Sequence, residues 1–446
     1  QLIQEAIMKL KLSNKNTLTI GLMLFALFLG AGNMIFPPAL GNSAGENIWI
    51  ATAGFLITGV GLPLLGVTAI GLTGGSLRDI ASKVHPLFGL IFTAILYLAI
   101  GPFFGIPRTG TVAFEIGVVP FLNDSTNVNG LPLFLYTLIF FGLTFWLSLN
   151  PTRLVDRVGK ILTPLLILVL GSLIIGAFMN PPGPLSTPAP DYKSGVFFKG
   201  FIEGYLTMDA IAALVFGIVV IQAVNDKGVS DRKNVSIAVL KAGILAAIGL
   251  TAIYLSLAYI GATSTNLVGS ANNGGAILSS IASYLFGSLG TLLLGAAITF
   301  ACLTTSVGLV TACGEYFSKT YPKLSYKTVI LVVTLFSTFV ANLGLTQLIT
   351  FTLPVLIAIY PIAIVLIFLT FLENAFPIHH YVYRGAIIST VIISVPNALE
   401  GAGITLPGMG IMQTLPLYNE GVGWIIPAIV GAVIGLLLSR TTKQVL

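Results

Sequence analysis

Charge is what this sequence has least of. Only 8% of its 446 residues are Asp, Glu, Lys or Arg, about a third of the share in a soluble domain. A soluble fold would have too little charge to cover its surface. Cysteine is scarcer still. Cys302 and Cys313 lie eleven residues apart inside one apolar segment, with no second pair and no histidine nearby, which excludes a disulfide framework and a Cys/His metal site. The three histidines, His85, His379 and His380, fall in polar breaks, and no H-E-x-x-H is present. No Ser–His arrangement therefore reaches an apolar interior, and an intramembrane hydrolase is set aside. No repeated polar segment offers the ring or filter of a channel. The net charge of +6 comes from Lys and Arg scattered singly or in small groups, not from a nucleic-acid-binding patch.

What the sequence has is apolar length. Hydrophobic residues make up 56%, with 49 Gly and 23 Pro, and runs of about twenty apolar residues, each able to cross a bilayer as a helix, recur from end to end. Twelve spans are expected, beginning near Leu18, Ile48, Leu87, Leu131, Ile161, Gly200, Val235, Phe286, Thr328, Leu345, Ala386 and Val422. With a cytoplasmic N-terminus, 18 of the 21 Lys and Arg fall on the inside. Only Lys193 and Lys199 stay outside, and Arg108 sits within a span. Omitting one helix would scramble that segregation, so both termini are expected in the cytoplasm. The Lys9, Lys11 and Lys15 stretch leads into a full-length span without an Ala-x-Ala site, so the first helix is expected to remain. Glu46, Asp124, Asp191, Glu400 and Glu420 fall in outside loops, and the uncharged stretch Gly261 to Tyr284 reads either as a cover over an external opening or as a plain connector.

Function belongs where membrane helices break, because an unbroken apolar helix has already satisfied its own backbone. In the first span, Gly30-Ala31-Gly32-Asn33 precedes the pair Pro37-Pro38, and Pro37 cannot donate to the carbonyl of Asn33. Unwinding there would offer carbonyls to a cation and N–H groups to a carboxylate. A Pro-kinked helix packed through small residues is the plainer alternative. The sixth span carries Glu203-Gly204-Tyr205-Leu206-Thr207-Met208-Asp209, with Asp209 the deeper carboxylate. First and sixth are corresponding positions in two five-span halves, and because five is odd the halves are inverted. Two parallel six-span halves would need a longer central connection than Asn225 to Asn234. Arg108 and Glu115, seven residues apart, share a helix face and read as charge compensation or as a substrate contact.

The run Gly30 to Pro38, Gly105-Ile106-Pro107-Arg108-Thr109 with Glu115, Glu203 to Ala210, and Pro354 with Pro361 together closely resemble the bacterial branched-chain amino acid:cation symporter family, from about Leu18 to Arg440. The resemblance implies an all-α inner-membrane protein of LeuT type, carrying leucine, isoleucine and valine with Na⁺. Its 5+5 inverted repeat would have first and sixth helices broken near the midplane, followed by two further helices. Residues 1–17 would be the cytoplasmic N-terminus, 18–180 and 181–371 the two halves, and 372–446 the last two helices and tail. Substrate would meet Gly30, Ala31, Gly32, Asn33, Gly204, Tyr205, Leu206, Thr207 and Asp209. By analogy with the fold, the carbonyls of Ala26, Leu29 and Ala301 and the hydroxyls of Thr304 and Thr305 would hold Na⁺. A second cation would draw on Asn33 and Thr207, although the seventh span has no clear Asn to complete that set. No cofactor beyond the coupling ion and no protein partner is implied. Proton coupling, or a broader range of neutral amino acids, is the alternative.

Overall fold

A chain this apolar has few partners for its backbone except itself, so it folds as helix, and no strand occurs among the described residues. The structure is a computed structural model that describes residues 13–123, 127–150, 153–271, 273–376, 378–404 and 406–443. Lys9, Lys11 and Asp124, placed above on the two sides of the membrane, lie outside the described residues.

Helix α1 (Asn14–Phe28) stops at Leu29 and Gly30, a 3₁₀ turn follows over Ala31–Ile35, and α2 (Phe36–Ala44) leads to α3 (Ile48–Leu56). A π turn over Ile57–Gly61 joins α3 to α4 (Leu62–Thr73). After the short α5 (Leu77–Ser82) come α6 (Pro86–Leu98), a π turn at Ala99–Phe103 containing Pro102, and α7 (Gly105–Gly117). Next are α8 (Leu131–Leu149), α9 (Arg153–Met179), α10 (Val196–Glu203), a 3₁₀ turn at Gly204–Thr207 and α11 (Asp209–Asn225). The remaining long elements are α12 (Arg232–Thr263), α13 (Gly274–Thr320), α14 (Tyr326–Ala341), α15 (Leu345–Ala375), α16 (His380–Gly401) and α17 (Ile425–Lys443).

Among the described residues, seven helical stretches are long and apolar enough to cross a bilayer, and the α10–α11 pair, bent by 42°, makes an eighth if it is one span. Three shorter apolar helices, Pro164–Met179, Tyr326–Ala341 and Ile425–Arg440, stand beside them. The difference from the twelve expected spans has physical causes. At 15 residues, α1 reaches only about 22 Å by itself, and the turn at Gly45–Asn47 lets helical bonding run on from Gly32 to Thr73 through two expected spans. Several helices also begin before the expected residue, α9 at Arg153 rather than Ile161 and α16 at His380 rather than Ala386.

The stretch read as a connector from Gly261 to Tyr284 is largely helical. Asn273 accepts the Ala276 N–H at 3.0 Å and starts α13 at Gly274, so the interruption lies at Gly287, where φ is +63°. Gly274 also packs against the carbonyl of Ile35. His85 and His379 each accept a backbone N–H at the start of a helix, from Leu87 and Tyr381, and so serve as caps. Cys302 and Cys313 are buried and free.

Two packed groups organise the helices. In one, α12 packs on α1, α2 and α4, while α11 packs on α4 and α10 on α3. In the other, α13 packs on α7, α8, α9 and α14. Helix α15 touches both, at α4 and at α7, and α16 packs on α15 and α17. Close crossings inside the first group depend on glycine. A Cβ at Gly54 would lie 1.9 Å from the Phe197 carbonyl oxygen, and one at Gly200 1.8 Å from that of Ala51. No other residue lets α3 and α10 meet this closely. Outward faces carry exposed Trp146, Ile139 and Phe339, as lipid contact requires. Lys83 with Glu373 forms the one ion pair among the described residues, and the Tyr383 hydroxyl donates to the same carboxylate at 2.7 Å.

Gly54→Val should therefore lower stability by about 3 kcal/mol or more, because the obstacle is a backbone carbonyl that cannot rotate away. Gly142→Ala, on a face with nothing within 4 Å, should be neutral or slightly stabilising. Thermal midpoints of the detergent-purified variants check both, and equal midpoints would contradict the α3–α10 crossing.

Candidate functional site

Each helix interruption leaves carbonyls without an i+4 donor, and in an apolar interior each must find another partner. Four side chains supply them. In the first interruption the chain is extended at Gly30 (φ −66°, ψ 142°), and the Asn33 side chain folds back to donate to the Phe28 carbonyl at 2.9 Å. In the second, Thr58 donates to the Phe201 carbonyl at 2.7 Å and Thr207 to that of Gly204 at 2.8 Å. Arg108 donates through Nη1 to the Leu206 carbonyl and through Nη2 to that of Thr207, at 3.2 Å for the latter.

The two interruptions meet directly. Asn33 Nδ2 lies 2.8 and 2.9 Å from the two carboxylate oxygens of Asp209, and its Oδ1 accepts Arg108 Nη2 at 3.3 Å. Asn33 and Asp209 are 4% and 5% exposed, so this junction sits in the interior of the molecule. Between the halves of the second interruption, Met208 adopts the left-handed conformation (φ 58°, ψ 10°) although it carries a side chain, a strain of about 1–3 kcal/mol that only surrounding contacts can hold. The Asp209 N–H then meets the Thr207 hydroxyl at 3.3 Å.

The residues expected to bind substrate thus divide. Asn33, Leu206, Thr207 and Asp209 come together at the junction through side chain or carbonyl. Gly32 makes room for Arg108, whose Nε would lie 3.1 Å from a Cβ there. Gly204 packs instead against Thr58, whose hydroxyl oxygen would lie 1.9 Å from a Cβ there. Beside Gly30 a Cβ would meet nothing within 4 Å, so open space borders the first interruption. Ala31 opens the 3₁₀ turn. Tyr205 is buried and stacks on Tyr360, ring centres 4.3 Å apart.

Arg108 and Glu115 share α7 but not a partner. Arg108 faces the junction, whereas Glu115 accepts Asn273 Nδ2 at 3.1 Å, so the two side chains do not pair with each other and each makes its own contacts. Seven residues place them on one face but two turns apart, and the side chains reach different elements. Thr304 and Thr305 each donate to the Ala301 carbonyl at 2.9 Å. No hydrogen bond joins them to Ala26 or Leu29 among the described residues.

Thr58, Tyr254 and Tyr360 were not legible as site residues. Thr58 sits in the π turn, where the Ile57-Thr58-Gly59 stretch was the available signal. The hydroxyls of Tyr205, Tyr254 and Tyr360 are buried, that of Tyr254 beside Asn33, that of Tyr360 beside Thr207 and Ala210, and that of Tyr205 beside Trp424. A cavity of about 600 Å³ is lined by Glu115, Ser279, Ser280, Ser283, Tyr284 and Thr291.

Comparison with known proteins agrees with this architecture. The chain matches the family described as branched-chain amino acid transport protein over residues 13–442. It is 55% identical over 434 residues to branched-chain amino acid permease BraB of Bacillus subtilis (strain 168), covering 97% of each chain. With branched-chain amino acid permease BrnQ of the same organism it shares 51% over 436 residues, 97% of this chain and 98% of that protein. These relatives are named as permeases, not enzymes. Among solved structures, the inward-facing conformation of Mhp1, at 15% identity, superimposes with a TM-score of 0.62 over 96% of this chain and 91% of its own, a likeness of fold alone.

The Asn33–Asp209 contact generates a double-mutant prediction. Asn33→Ala and Asp209→Ala should each destabilise by about 3 kcal/mol, since each strands a buried polar partner. The double variant should fall short of the sum by about 1.5–3 kcal/mol. Unfolding of the three variants in micelles measures the coupling, and simple additivity would refute a direct contact.

Proposed function

The chain belongs to the branched-chain amino acid transport protein family, and from that premise we propose that it carries leucine, isoleucine and valine into the cell with Na⁺, by alternating access. The observation that carries this reading is the meeting of two interrupted helices beside open space at Gly30. The N–H groups that begin the Ala31–Ile35 turn suit an amino acid's carboxylate. Tyr254 and Tyr360, whose hydroxyls lie beside Asn33 and Thr207, offer aromatic walls at the junction, and Tyr205 stacks on Tyr360.

In this reading the protein crosses the bacterial inner membrane twelve times with both termini in the cytoplasm. Helices α1–α2 and α10–α11 are single broken spans near the midplane, residues 18–180 and 181–371 are the inverted halves, and 372–446 are appended. The segregation of Lys and Arg supports that orientation. The two packed helix groups supply bodies that can rock against each other around the junction. Na⁺ would bind carbonyls of Ala26, Leu29 and Ala301 with Thr304 and Thr305. Their hydroxyl hydrogens already point to the Ala301 carbonyl, which leaves oxygen lone pairs for a hard cation.

Uptake of labelled leucine into proteoliposomes, under separately imposed Na⁺ and H⁺ gradients, tests the proposal. An inward Na⁺ gradient should accelerate uptake, and isoleucine and valine should compete while lysine and glutamate do not. Acceleration by the proton gradient alone would transfer the coupling to H⁺. Displacement by lysine as strong as by leucine would exclude the apolar site. Thr304→Ala with Thr305→Val should raise the Na⁺ needed for half-maximal uptake about tenfold, the equivalent of 1.4 kcal/mol. An unchanged Na⁺ activation curve in the folded double variant removes both residues from the cation site.

A further inference from the structure

The oxygens from which a second cation would be drawn already face a positive charge. Arg108 reaches the carbonyls of Leu206 and Thr207 and the Oδ1 of Asn33, one acceptor from the first interruption and two from the second. Those carbonyls close a 3₁₀ turn just before the reversal at Met208, where the partial negative charge of a helix end gathers. Neutral oxygens converging from two chain breaks form the ligand set that an alkali cation uses.

Arg108 is half-buried, and an arginine drawn out of bulk water ordinarily pairs with a carboxylate. Arg108 does not: the one ion pair among the described residues is Lys83–Glu373. Asp209 balances its charge at one remove, through Asn33, which donates to the carboxylate and accepts from the guanidinium. The site is shaped for the head group. Gly32 leaves room where a Cβ would come 3.1 Å from Nε, and the Phe36 ring lies 5.2 Å from the guanidinium carbon. Five N–H donors and no acceptor make this group a cation that can serve several oxygens at once.

We propose that Arg108 is a resident cation, filling with its guanidinium the oxygen site that a second mobile ion would otherwise occupy and holding the two interrupted helices in the shape that binds substrate. A mobile ion is thereby excluded from this position, and any coupling ion binds elsewhere. Arg108 is a positioning residue, because it acts through the carbonyls and Asn33. The consequence for ion coupling rests on the transport reading above, whereas the substrate-binding consequence needs only that the protein binds leucine.

The test measures equilibrium binding of labelled leucine to purified protein at fixed NaCl, with and without about 10 mM guanidinium chloride, well below denaturing levels. Arg108→Ala should weaken binding about tenfold or more, and guanidinium should restore most of it, while the same concentration of tetramethylammonium chloride should not. A folded Arg108→Ala protein that binds normally, or that guanidinium fails to restore, overturns the proposal. If Arg108→Ala does not fold, Arg108→Lys and Arg108→Gln replace it. Lysine keeps the charge and should bind leucine more tightly than glutamine, and equal binding overturns the proposal. Wild-type protein that does not bind leucine would instead overturn the functional reading, so the two failures are distinguishable.

Discussion

A helix interrupted inside an apolar protein must find partners for its freed carbonyls, and in this molecule Asn33 is the side chain on which that requirement converges. Its amide serves the Phe28 carbonyl of its own broken helix and the Asp209 carboxylate of the other, and its oxygen receives Arg108. Without Asn33, a carbonyl, a carboxylate and a guanidinium would each lose a partner in surroundings where water competes little. The interruptions are thus mutually dependent, and neither half of the junction is complete alone.

Around this centre the structure keeps rigidity and openness apart. Glycine contacts at Gly54 and Gly200 lock α3 against α10, and Thr58, projecting from a π turn, closes the end of α10. These are close, directional contacts with little freedom to slide. At the junction itself, Gly30 borders open space, and the hydroxyls of Tyr254 and Tyr360 lie beside Asn33 and Thr207. A ligand with both polar ends and an apolar body suits such a place. Arg108 links the two bodies, since it stands on α7 while its donors reach the interruptions.

Much of this could be read from the residues. Scarce charge and repeated apolar runs give a helical membrane protein directly, and Gly30 to Asn33 and Gly204 to Asp209 mark the segments that meet. Other features needed three dimensions. Periodicity does not reveal that Gly45 lets helical bonding continue from α2 towards α3, nor that Asn273 starts a helix within a polar stretch. The seven-residue spacing of Arg108 and Glu115 suggested a shared task, but a common face does not fix where two long side chains reach. Thr58, Tyr254 and Tyr360 looked like ordinary members of apolar spans, because a hydroxyl in a membrane helix most often bonds its own backbone.

A structure determined with bound leucine decides whether substrate sits at the junction held by Asn33. Leucine should lie beside Gly30, its carboxylate against the N–H groups that open the Ala31–Ile35 turn and its side chain among Tyr205, Tyr254 and Tyr360. Leucine bound only in the cavity lined by Glu115, Ser280 and Tyr284, with the junction unchanged and empty, would contradict it.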